Sequence, residues 1–172
     1  MARPTFLTLP VLFALLAHAA AYTPLPQWGQ TALLLNNTIY VYGGETLTAV
    51  GLTSFFTLDV SIPWNISGPT WADHTSDAGT VTVPQVAFGT MFRAYDNQSF
   101  YIWGGGSTPN TTLLENGFAQ YNFATKQWSL PSSIANMPMQ RRSLNAVTSS
   151  SGVAYIWGGI GDSFTDVNPT IR

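Results

Sequence analysis

His74 is the one histidine beyond the first 21 residues, and it lies in the most ligand-rich stretch of the chain, Asp73-His74-Thr75-Ser76-Asp77. An imidazole among carboxylates suits a metal ion or acid–base work. A catalytic metal ordinarily takes three protein ligands, so the stretch reads instead as a polar connecting loop. The eight carboxylates are scattered from Glu45 to Asp166 and form no acid–base pair in the sequence. Serines are frequent, but none has a nucleophile motif around it. Gly104-Gly105-Gly106 lacks the lysine and the following helix of a phosphate loop. Cysteine is absent, which removes thiolate chemistry, cysteine metal sites and disulfides together. No catalytic, metal or cofactor residue is expected.

Two further patterns carry covalent chemistry done by other proteins. Asn36-Asn37-Thr38, Asn65-Ile66-Ser67, Asn97-Gln98-Ser99 and Asn110-Thr111-Thr112 fit the N-glycosylation sequon, whereas Asn168 is followed by Pro169 and does not. Glycans at Asn36, Asn65, Asn97 and Asn110 would sit on exposed turns. Arg141-Arg142 could be a dibasic processing site; a structural role at the start of an element is the preferred reading.

The sequons matter because the chain opens with a secretory leader. Arg3 supplies the positive charge, Phe6 to Leu16 is apolar apart from Thr8 and Pro10, and small residues end at Ala19 and Ala21. The apolar run is shorter than the ~20 residues of a spanning helix. Residues 1–21 are therefore read as a signal peptide, and the product as secreted, with no membrane segment in this chain. Hydrophobic residues make up 45% and charged residues 8%, enough for a core with little charge to keep it soluble, so glycans fill that role. The net charge of −2 carries no basic footprint for nucleic acid.

A repeated hairpin organises the rest. Ile39-Tyr40-Val41-Tyr42-Gly43-Gly44 returns as Tyr101-Ile102-Trp103-Gly104-Gly105 and as Tyr155-Ile156-Trp157-Gly158-Gly159. Runs of β-branched and aromatic residues fit a packed, pleated surface and read as strands. Asn36 to Gly43, Asn97 to Gly104 and Ser151 to Gly158 are each seven residues apart, so turn, strand and glycine pair stay in phase three times. The first glycines are 61 and 54 residues apart. That period fits four-stranded propeller blades, whose kelch form repeats every ~50 residues. Glycine at a strand end permits a sharp turn and close approach of a neighbouring element. The repeats run approximately over residues 28–72, 86–131 and 141–172. In the first, strands are expected over 31–35, 39–42 and 54–60, with Trp71 anchoring the fourth; in the second, over 86–95 (interrupted by Gly89), 100–103, 117–123 and 127–130; in the third, over 144–148 and 153–157.

With its Gly-Gly pair followed by a tyrosine and a tryptophan, the chain resembles the kelch-repeat β-propellers, and most of all the secreted fungal type. Repeat two carries Gly104-Gly105, Tyr121 and Trp128 at those places. Repeat one carries Gly43-Gly44, Leu58 where the tyrosine would be, and Trp64 or Trp71. Repeat three carries the strand and Gly158-Gly159. The resemblance covers nearly all of residues 22–172 and implies an all-β kelch propeller segment of about two and a half four-stranded blades, the N-terminal part of a longer ring. For function it implies a non-enzymatic module with a protein or glycan ligand. The alternative it implies is the propeller portion of a galactose-oxidase-like copper radical oxidase. Copper there takes two histidines and two tyrosines, one tyrosine cross-linked to cysteine, and this chain lacks that set.

Overall fold

The computed structural model describes residues 22–108, 118–131, 136 and 138–165. Residues 1–21, Asn110, Glu115 and residues 166–172 lie outside them.

The first sheet holds β1 (Thr31–Leu35), β2 (Thr38–Tyr42), β3 (Phe55–Asp59) and β4 (Trp71–Asp73), antiparallel and in chain order. The second repeats that order with β5 (Thr90–Arg93), β6 (Ser99–Trp103), β7 (Phe118–Asn122) and β8 (Gln127–Ser129). The third is a hairpin of β9 (Arg142–Thr148) and β10 (Ala154–Ile160). Two short 3-10 turns, Thr75–Ala78 and Ser163–Thr165, are the helical structure among the described residues. The expected all-β architecture is present, as two blades and the first half of a third.

Local chemistry explains the hairpins. Leu35 pairs with Thr38, leaving Asn36 and Asn37 as a two-residue turn with φ of 48° and 59°. Asparagine tolerates the left-handed region, and a turn positive at both positions matches the strand twist. In the second blade Asp96 organises the turn, its carboxylate accepting from the Gln98 N–H and the Ser99 hydroxyl, each at 2.8 Å.

The core lies between blades. Tyr42 and Phe55 of blade one pack against Phe100, Tyr121 and Trp128 of blade two. Phe55 meets Tyr121 edge-on, ring centres 4.7 Å apart, and Trp128 in the same way at 5.4 Å. The opposite face of blade two packs Phe92 and Trp103 against Leu144 of the third hairpin. Burial on both faces explains why β6 reads as a continuous apolar run.

The elements differ from expectation in two places. The expected strand over 86–95 is confined to Thr90–Arg93, because Phe88 takes a left-handed φ of 57° and breaks the extended run. Val86 and Ala87 instead bridge to Leu52 and Gly106. In the third hairpin both strands are longer than expected, and β10 runs through Gly158 and Gly159. In the first blade Leu58 pairs with Trp71, as Tyr121 pairs with Trp128, so Trp71 anchors the fourth strand as expected. Trp71 is thus the counterpart of Trp128, while Trp64 lies in the β3–β4 connection with 40% of its surface exposed.

Candidate binding site

The first strands of the three blades, β1, β5 and β9, come together through one repeated backbone device. Register makes Gly29, Phe88 and Ser143 equivalent, two residues ahead of Thr31, Thr90 and Asn145, which pair with Tyr42, Trp103 and Trp157. All three have φ between 57° and 69°. The Phe88 N–H donates to the Gly29 carbonyl at 2.7 Å, and the Ser143 N–H to the Phe88 carbonyl at 2.8 Å. A left-handed conformation is unusual for a residue as bulky as phenylalanine, and it persists where surrounding structure over-determines it. Here the hydrogen bonds on both sides supply that determination.

Beside this chain of bonds lies an open pocket of about 400 Å³. Gln30 and Thr31 of the first blade, Thr90 of the second, and Ser143 and Asn145 of the third supply its polar side chains. The lining is hydroxyl and amide with no charged group, and Phe88 and Met91 add apolar surface. Such a wall donates and accepts hydrogen bonds without favouring either sign of charge. Carbohydrate hydroxyls present the same mixed pattern.

A charged cluster lies nearby. Arg142 donates to Asp162 Oδ2 from Nε and Nη2, at 2.8 and 2.6 Å. Its guanidinium lies over Phe164 and Phe88, 5.1 and 5.8 Å from the ring centres. Hydrogen bonding to Arg142 holds the Asp162 carboxyl below its ordinary range. Arg141 Nη1 donates to the Gly159 carbonyl at 3.0 Å, and its own carbonyl accepts from the Gly105 N–H at 2.8 Å. Both arginines thus have structural partners.

The stretch around His74 serves the first blade junction. His74 Nδ1 lies 3.1 Å from Asp77 Oδ2, and the Tyr121 hydroxyl donates to the same oxygen at 2.6 Å. Sequence reasoning reached His74 and Asp77 as a loop and Tyr121 as a motif residue. It did not join them, because they are 44 residues apart for the Asp77–Tyr121 pair and nothing local announces the contact. Burial, with Asp77 second, pushes the Tyr121 hydroxyl far above its ordinary 10.0. Among the described residues no three His, Cys, Asp or Glu side chains cluster as a metal site.

The motif glycines fall at the blade junctions. Gly44 donates its N–H to the Val86 carbonyl at 2.9 Å, as Gly105 does to Arg141. A Cβ on Gly43 would stand 2.4 Å from the Val86 oxygen, and one on Gly104 2.7 Å from that of Arg141. Gly158 and Gly159 occupy the same place at the end of the third hairpin. Of the sequons, Asn36, Asn65 and Asn97 are exposed on turns, and Asn110 lies outside the described residues. Asn65 Oδ1 accepts from the Ser67 hydroxyl at 2.8 Å.

Blades of this strand order, joined at glycine pairs and paired through Tyr121–Trp128 and Leu58–Trp71, define the class: a kelch-type β-propeller segment. Over 159 residues the chain is 25% identical to a kelch repeat-containing protein of Arthroderma benhamiae, covering 81% of this chain and 23% of that protein. The solved structure of YjhT shares the fold with a TM-score of 0.56 and 22% identity, over 80% of this chain and 35% of that one. The chain thus spans about a quarter of the curated relative it matches. No protein-family model matches it.

Proposed function

We propose that this chain is a secreted, glycosylated, non-enzymatic module that binds a neutral glycan at the meeting point of β1, β5 and β9, as part of a larger propeller. The observation that carries this reading is the uncharged pocket of hydroxyls and amides contributed by three blades. A neutral polyhydroxylated ligand satisfies such groups without the desolvation cost of a charge. The exposed positions of three sequons agree with modification during secretion, and the relative's name supports a kelch-repeat protein without giving a ligand. The copper-oxidase alternative gains no observation: His74 is engaged by Asp77 at a blade junction, away from the pocket lining.

Calorimetric titration of the full chain with neutral oligosaccharides tests the reading. Binding is expected, and Asn145→Ala is expected to weaken it about fivefold, the worth of one hydrogen bond. Heat no greater than with denatured protein, or an affinity indifferent to Asn145→Ala, contradicts it. Copper uptake with an oxidase radical signal would favour the alternative.

A further inference from the structure

Five hydroxyl side chains are buried among the described residues: Thr57, Thr90, Ser99, Ser107 and Thr165. Three of them bond within the chain. Ser99 donates to Asp96 Oδ2 at 2.8 Å, Ser107 to the Val50 carbonyl at 3.3 Å and Thr165 to the Asp162 carbonyl at 2.8 Å. The hydroxyls of Thr57 and Thr90 have no partner among the described residues. Of these two, Thr90 lines the pocket where the three blades meet.

Thr90 opens β5 and pairs with Trp103. Paired residues project to one face of a sheet, as do residues two apart on a strand. Thr90 therefore shares a face with Trp103 and Phe92, the side chains that pack on Leu144 of the third hairpin. It is 5% exposed there. Buried polar atoms ordinarily find a partner. Among the described residues, the sealed side-chain atom without one is Trp103 Nε1. The Thr90 hydroxyl is thus unpartnered but not sealed, and what stays open of this residue is open at the pocket. Its counterparts are held less firmly. Thr31 and Asn145 take the same register place in blades one and three and also line the pocket, the first half-buried and the second exposed. Threonine is stiff at χ1, and packing against the third hairpin fixes Thr90 further. It offers a donor and an acceptor at a set place, with little side-chain freedom left to lose on binding.

We propose that Thr90 is the specificity-determining residue of this pocket: its hydroxyl bonds directly to one ring hydroxyl of a neutral saccharide, and so selects which sugar is accepted and in which orientation. The inference rests on the glycan reading and sharpens it. A saccharide without a hydroxyl at that point displaces water from the pocket and leaves Thr90 unpaired, which is the costly case for a buried polar group.

The test uses the full chain and its Thr90→Val variant, which keeps nearly the same shape and removes the hydroxyl. Both are titrated calorimetrically with cellotriose, maltotriose and mannotriose, and then with the monodeoxy forms of the tightest binder. Thr90→Val is expected to bind that saccharide about tenfold more weakly. One monodeoxy form is expected to bind the parent about tenfold more weakly, yet to bind Thr90→Val as well as the intact saccharide does, because the two deletions remove the same bond. A purely structural threonine would not produce that loss of discrimination. The urea midpoint of Thr90→Val is expected to equal or exceed the parent's, since no bond within the chain is lost. A clearly lower midpoint means that the hydroxyl serves the fold, and overturns the proposal. So does a deoxy series in which parent and variant discriminate alike. A parent that binds while Thr90→Val binds as tightly sinks this inference alone; a parent that binds none of the three saccharides sinks the glycan reading and this inference with it.

Discussion

Tyr121 shows how one side chain ties local sequence to the junction between blades. Its ring packs on Phe55 and its hydroxyl donates to Asp77 at 2.6 Å. Tyr121→Phe keeps the ring and removes the bond to a charged acceptor, so a loss of about 1.5–3 kcal/mol is expected in urea unfolding; an unchanged midpoint would deny the hydroxyl that role. Burial raises the folded-state pKa of Tyr42 and Tyr121 above 10.0. Their contribution to stability is therefore complete below pH 10 and lost as pH rises beyond it, because the unfolded chain ionises first. Unfolding midpoints between pH 7 and 11 are expected to hold and then fall at the alkaline end, less steeply in Tyr121→Phe. Asp162 has the opposite sign: its lowered pKa gives stability present above 3.8 and lost as pH falls through the folded value. Arg142→Gln is expected to flatten that acid limb, and an acid limb identical to the parent's would contradict the pairing.

At the scale of elements, the β2, β6 and β10 hairpins were legible because three in-phase copies carry the same spacing. β3 and β7 followed from their aromatic and β-branched runs. β4 was legible through Trp71 as its anchor, while the motif tryptophan stayed a choice between Trp64 and Trp71; pairing of Leu58 with Trp71 decides it. The start of β5 was not legible, because no local preference announces a left-handed Phe88. That conformation is imposed by bonds to Gly29 and Ser143, 59 and 55 residues away. The pocket was missed for the same reason, its groups coming from three separated strands. Phe88→Gly is expected to relieve the backbone while deleting the ring beneath Arg142. Thermal melting should therefore show a net loss, and a gain in stability would mean that the strain outweighs the packing.

For the whole molecule, blades bury their cores against their neighbours, so stability is a sum of junctions rather than a property of one sheet. Two junctions are present among the described residues, one on each face of blade two, and the face of the third hairpin that carries Val147, Tyr155 and Trp157 is exposed. The most direct measurement is urea unfolding of Gly43→Ala, Gly104→Ala and Gly158→Ala. Their φ values are 71°, 72° and 79°, and a Cβ on Gly158 meets nothing within 4 Å among the described residues. All three incur the ~1–2 kcal/mol cost of a left-handed residue. Gly43→Ala and Gly104→Ala also press a methyl into a neighbouring carbonyl, so each should lose a further ~1–3 kcal/mol. A Gly158→Ala variant clearly more stable than the other two is the predicted result. Equal losses at all three glycines would contradict the account, because no junction would then distinguish the first two blades from the third.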